Sequence, residues 1–247
     1  MDHLNPGQLK WGGGNKFYNQ LNGIKSQQPE LKTILSLGGT CDFKDMLSDE
    51  EKRQMFVKSA ADFVKQFNFD GVDIDATQSV INKNDLTKLI KEFKIEIPGK
   101  LITISVSTDQ ENFGSNFDVP TIAKFTDFVN ILTPQNDVKQ SASITAQDAK
   151  SSNTFDTMYD WVSNGMSKNK LIVGMNILGN SKNANAALNA TVNSFEASVN
   201  VKNKWMKENG FGGACLRSFD HTISDGQCLS EASMNQADRE FKLSAMN

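Results

Sequence analysis

The sequence predicts an α/β fold built on a parallel sheet with helices on its faces. Two observations point there. Short, nearly continuous apolar runs recur along the chain: "LKTILSLGG" (31–39), "GVDIDA" (71–76), "LITISVST" (101–108), "FVNILT" (128–133), "KLIVGMNIL" (170–178) and "GGACLRSFD" (212–220). Strands covered on both faces read this way, because no face is left for polar alternation. Between them stand segments of helical character, and strand–helix alternation sets successive strands parallel.

The elements follow in order. "NKFYNQLNGIKSQQPE" forms a helix ahead of the first strand, which a glycine pair stops at Gly38-Gly39. "SDEEKRQMFVKSAADFVKQF" (48–67) is a helix with a capping-box pattern, Ser48 and Glu51, and an inner face of Met55, Phe56, Ala60, Phe63 and Phe67. After "GVDIDA" a helix over Asp85–Ile95 closes at Pro98-Gly99. Further helices are expected over Pro120–Phe125, Phe155–Ser163, Val192–Asn209 (core contacts Phe195, Val199 and Trp205) and Leu229–Leu243. No internal repeat or linker interrupts the pattern, so residues 1–247 are expected to form one domain, and this length suffices for a full core.

Composition narrows the function. The net charge is −3 and Lys and acidic residues are interspersed, which argues against nucleic acid or an anionic membrane as partner, since both require a basic face. No apolar run approaches the ~18 residues that a membrane span needs. "MDHLNPGQLKWGGG" lacks a basic start followed by an apolar core, so no signal peptide is expected; this suits a cytosolic protein or a mature secreted chain. Cys41, Cys215 and Cys228 show no CxxC spacing, and an odd count leaves at least one thiol outside any internal pair. With only His3 and His221, a histidine-rich metal site is excluded on supply, and no cofactor is expected. "WGGGNK" lacks the Lys-Ser/Thr ending of a phosphate loop, and Asn189-Ala190-Thr191 is a lone glycosylation sequon.

The stretch "FDGVDIDATQ" (69–78) holds the chemistry-bearing residues, with Asp70, Asp73 and Asp75 alternating with apolar neighbours. Together with "LKTILSLGG" and its Ser-x-Gly-Gly ending at Ser36, Gly38 and Gly39, with "DFVNILT", "KLIVGMNILG" and "GFGGACLRSFD", it resembles, in order and spacing, glycoside hydrolase family 18, the chitinases and chitinase-like proteins. The resemblance implies a (β/α)8 TIM-type barrel with its site at the C-terminal ends of the strands. The five motifs are similar to barrel strands three, four, six, seven and eight. The first two strands are not recognisable, so the barrel is expected to be incomplete, its missing strands either lost or supplied by another polypeptide. The spacing from Leu178 to Gly213 is too short for the extra α+β wall of many members.

The resemblance also implies a mechanism in which the substrate's N-acetyl group is the nucleophile and a glutamate ending the fourth strand is the acid of a DxxDxDxE pattern. Asp73 and Asp75 match the inner aspartates, but Thr77 occupies the acid position. A hydroxyl is far too weak an acid to replace a carboxyl near neutral pH, and neither Gln78 nor Asp85 falls on the strand phase that faces the site. Other departures accumulate: Pro134 and Gln135 stand for a Tyr-Asp pair that contacts the acetamide, Leu178 for a tyrosine, Arg217 for the stacking tryptophan and Thr40 for an aromatic. Loss of these rings removes much of what holds a sugar.

The resulting expectation is a non-catalytic chitinase-like protein, acting as an interaction or structural scaffold. The alternatives are a lectin for N-acetylglucosamine-containing glycans or chitin and, third, a residual glycosidase. Asp73, Asp75, Gln135, Asn176 and Arg217 form either a ligand site or an internal polar cluster, with Arg217 as counter-ion of the aspartates. Cys215 is expected as a small core hydrophobe, and His221 adjoins the functional end. The expected partner is another protein chain, or a second copy, at the open barrel edge, with a glycan as the other candidate; the resemblance implies an extracellular setting.

Overall fold

A computed structural model describes residues 14–38, 44–77, 81–108, 116–132, 153–176 and 203–217. The strands are β1 (Ile34–Gly38), β2 (Gly71–Asp75), β3 (Leu101–Ser107), β4 (Phe128–Leu132), β5 (Leu171–Asn176) and β6 (Gly213–Arg217). The helices are α1 (Gly14–Gly23), α2 (Lys44–Ser48), α3 (Glu50–Gln66), α4 (Lys83–Glu96), α5 (Val119–Phe125), α6 (Asn153–Ser163) and α7 (203–209). All six predicted strands are present. The chain divides into two compact units, Met1–Val129 with Ser163–Met166, and Asn130–Val162 with Ser167–Asn247.

In the first unit β1, β2 and β3 lie side by side in chain order, parallel, with Ile34 opposite Gly71 and Gly71 opposite Leu101. Val72, Ile74, Ile102, Ile104 and Val106 are fully buried, and so are Leu86, Ile90 and Phe93 of α4 and Phe63 and Val64 of α3. That is the two-sided cover the apolar strands predict. β1 differs: its residues are half-buried or exposed, and among the described residues it pairs only with β2. Gly71 is obligatory, since a Cβ there would meet the Leu101 carbonyl oxygen at 2.1 Å.

α3 corrects two sequence expectations. Its cap is Asp49, whose carboxylate accepts from the Lys52 N–H at 3.1 Å, and not the Ser48–Glu51 box; Ser48 ends the separate turn of α2. Aspartate competes well for this role because it satisfies an orphan N–H and complements the helix dipole. Met55 is 64% exposed and Phe56 half-buried, while Ala60, Phe63 and Phe67 are buried as expected and are joined on the inner face by Arg53, Val57, Ala61 and Val64. The helix ends with Asn68 in the left-handed region (φ 58°), its N–H reaching Lys65 O and that of Phe69 reaching Val64 O. This double closure turns the chain straight into β2. Tyr18 of α1 packs on Phe63, Phe67 and Phe69 at that corner, with ring centroids 5.0–6.1 Å away.

In the second unit β5 and β6 are parallel, Ile172 opposite Gly213. The same closure recurs where α7 ends: Gly210 has φ 73°, its N–H reaches Lys207 O, and Phe211 N–H reaches Met206 O. Phe211 stacks on Trp205 at 4.8 Å, and Trp205 meets Phe155 at 4.0 Å, so Trp205 is the half-buried core contact expected of it. Trp161, Met158, Leu171 and Val173 fill the core of this unit. Phe195, Val199 and the helix expected over 229–243 lie outside the described residues. No described helix is long and apolar enough to cross a membrane.

Arg53 was not foreseen as a core residue. It is 3% exposed and forks onto Glu92 of α4, with Nε 3.0 Å from both carboxylate oxygens and Nη2 2.9 Å from Oε1; Nη1 donates to Leu47 O at 2.8 Å. The Glu92 hydrogen bonds raise the guanidinium's pKa further, against the effect of burial. One side chain thus joins α2, α3 and α4. Arg53→Ala is expected to destabilise the protein by ~3–5 kcal/mol, because it strands Glu92 and a buried carbonyl. Urea unfolding measures this, and a loss below about 1 kcal/mol would contradict the role assigned.

Candidate functional site

The three aspartates of "FDGVDID" occupy three different settings along β2. Asp70, just before the strand, is tied at the strand's N-terminal end. Its Oδ2 accepts from Thr33 N–H at 2.8 Å and Lys25 Nζ at 2.9 Å, and Lys25 also donates to Asn68 O. Partial burial opposes ionisation, but the Thr33 N–H and Lys25 outweigh it and hold the Asp70 carboxyl below the usual range. Asp70 fastens the entry to β1 against the entry to β2, at the end of the sheet opposite the expected site.

Asp73 lies mid-strand, opposite Ser36 of β1 and Thr103 of β3. Its Oδ1 accepts from Thr103 Oγ1 at 2.6 Å, and its Oδ2 from Ser105 Oγ at 2.9 Å and Ser36 Oγ at 3.2 Å. A buried carboxylate costs free energy unless donors meet it, and here hydroxyls from both flanking strands do so. Burial nonetheless pushes the Asp73 carboxyl up; the Thr103 and Ser105 hydroxyls pull against it, and the charge of Asp75 adds to the rise.

Asp75 ends the strand, half-buried, opposite Gly38 and Ser105. Its Oδ1 accepts two bonds from Thr77, the backbone N–H at 3.0 Å and the hydroxyl at 2.5 Å. The Thr77 side chain is therefore a donor folded back onto Asp75, in the local side-chain-to-backbone turn that Asp favours.

Asn176 and Arg217 end β5 and β6 as register partners. Their side chains lie outside the described set, as do Gln78, Thr40, Pro134, Gln135, Leu178, His221, Cys41 and Cys228. The counter-ion role expected of Arg217 falls there too. Cys215 is half-buried on β6 and not fully enclosed. Asp85 sits in the first turn of α4, away from the strand, as the phase argument requires. Among the described residues no three His, Cys, Asp or Glu side chains are grouped to hold a metal. Ser36 of the Ser-x-Gly-Gly ending joins Asp73 from outside the expected cluster, and so do Thr103 and Ser105 of β3. Their signal is present in "LITISVST", where hydroxyls at 103, 105 and 107 alternate with apolar residues on one strand face.

The raised carboxyl pKa of Asp73 gives a signed pH dependence. The folded state holds the Asp73 proton more tightly than the unfolded chain, so its contribution is fully present below the ordinary carboxylate range and is lost as pH rises through the folded-state value. Asp70 acts in the opposite sense, its contribution being lost as pH falls. Comparing wild type with Asp73→Asn cancels Asp70. The stability of wild type relative to the variant is expected to be greatest below the ordinary carboxylate range and to decline as pH rises from there, by chemical denaturation at each pH. A flat difference would contradict the assigned shift.

Comparison with known proteins places this geometry. Residues 3–224 match the glycosyl hydrolases family 18. Mouse chitotriosidase-1 is 27% identical over 242 residues, covering 85% of this chain but 52% of its own length, so the chain spans about half of that relative. Among solved structures, the group IV chitinase of Ostrinia furnacalis in complex with allosamidin superposes with a TM-score of 0.72 at 18% identity, over 92% of this chain and 83% of that one. An immunomodulatory active chitinase from Trichuris suis gives 0.68 at 21% identity, over 94% and 88%. The sequence match and the shared α/β barrel fold agree, and the chain belongs to glycosyl hydrolase family 18, on a fold of the (β/α)8 type.

Proposed function

We propose that this chain is a non-catalytic, chitinase-like member of family 18, a pseudo-enzyme whose single barrel domain over residues 1–247 serves as an interaction or structural scaffold. The observation behind this reading is Thr77. The family's chemistry requires a carboxylic acid there to protonate the leaving oxygen, and Thr77 offers a hydroxyl already donated to Asp75. General acid catalysis contributes ~10²–10⁴-fold in rate, and an alcohol supplies none of it near neutral pH. The aspartates that would orient and tune the acid are used internally, Asp73 by three hydroxyls and Asp75 by Thr77. The sequence departures at Pro134, Gln135, Leu178 and Arg217 act on the same transition state.

A second reading, a lectin for N-acetylglucosamine oligomers or chitin, is favoured by relatives and structural neighbours that are named as chitinases. It ranks lower because the family's stacking aromatics are not at their positions in this sequence. Incubation with a fluorogenic chitobioside is expected to give no turnover above a heat-killed control, and a glycan array no retention of chitin oligomers. Turnover that disappears in Asp75→Ala would overturn the proposal, and retention without turnover would favour the lectin.

A further inference from the structure

Two exposed surfaces of the first unit are complementary in charge and in apolar content. Along the approach to β1, Phe17 is 50% exposed, Ile24 44% and Leu31 38%. They alternate with exposed Lys16 and Lys32, against the one exposed acid of residues 14–38, Glu30, while Lys25 is taken up by its ion pair with Asp70. This surface ends at β1, whose second edge has no strand beside it among the described residues. The other surface is the start of α2 and α3. Asp45, Glu50 and Glu51 are exposed there, and Met55, four residues after Glu51 and so on the same helix face, is the second most exposed large apolar side chain in the described chain.

We infer that these surfaces bind one another between two copies of this chain, the lysine-flanked apolar edge of one copy on the acid-flanked Met55 corner of the next. Exposed apolar side chains at this place favour association, and opposite charge at the rim selects the partner and its orientation. A second copy is the occupant because both halves of the match lie on this chain, in a heterologous, head-to-tail contact. The inference stands apart from the catalytic reading.

Sedimentation velocity across a concentration series tests it. Wild-type protein is expected to gain mass with concentration, and the association to weaken about tenfold or more as salt is raised to 1 M, where screening acts within ~3 Å. Lys16→Glu with Lys32→Glu should sediment as monomer, and so should Glu50→Lys with Glu51→Lys. An equimolar mixture of the two variants should associate again, since each reversed surface then faces its complement. Restored association also shows that both variants remain folded. A wild-type monomer at every concentration would overturn the inference and leave the β1 edge to a different partner. Association insensitive to both salt and the charge reversals, or variants that stay monomeric when mixed, would overturn it equally.

Discussion

A carboxylate taken out of water in the middle of a parallel sheet must be surrounded by donors, and that requirement at Asp73 organises the first half of this protein. The donors come from β1 and β3, so the side chain that demands them also fixes how the three strands align. A slip of one residue in either neighbour would set an apolar side chain where a hydroxyl is needed and turn the polar face outward. Asp73 thus specifies register where near-continuous apolar strands specify little. Burial, with the charge of Asp75 added, raises its carboxyl pKa against the pull of the hydroxyls.

The other two aspartates extend the same logic to the ends of β2. Asp70 meets a lysine and a backbone N–H and ties the strand entries together, while Asp75 meets Thr77 and closes the exit. On the proposed reading, a strand whose pattern serves acid catalysis elsewhere in the family serves here as framework from end to end. Thr77 suits that role, because a short hydroxyl side chain can fold back on the preceding carboxylate and satisfy Asp75.

Much of this was legible in the residues. The strands are legible because burial on both faces forces unbroken apolar runs, and all six appear where those runs fall. The turn into β2 is written in "NFDG", and its counterpart into β6 in "GFGG": a left-handed residue, a buried phenylalanine, then glycine near the strand start. What was not legible depends on contacts distant in sequence. Arg53 reads as a surface residue of a charged helix until Glu92, 39 residues later, is brought against it. Met55 reads as core by helical spacing, but the stripe is set by where α4 lies, and that rotates the buried face to Val57, Ala61 and Val64. The hydroxyls of β3 were visible as an alternation, yet only the register names Asp73 as their acceptor.

The account rests on the inner aspartates being framework, and the unfolding free energy of Asp73→Ala tests this most directly. Residues kept for catalysis commonly cost stability, so truncating one often stabilises the fold. A framework carboxylate behaves in the opposite way, because its removal leaves buried hydroxyls without their acceptor at about 1–3 kcal/mol for each that cannot find another. The account predicts a loss of about 2 kcal/mol or more in urea unfolding at acidic pH, where the contribution of Asp73 is present. A variant as stable as wild type, or more stable, would mean that Asp73 is held for a ligand and would contradict it.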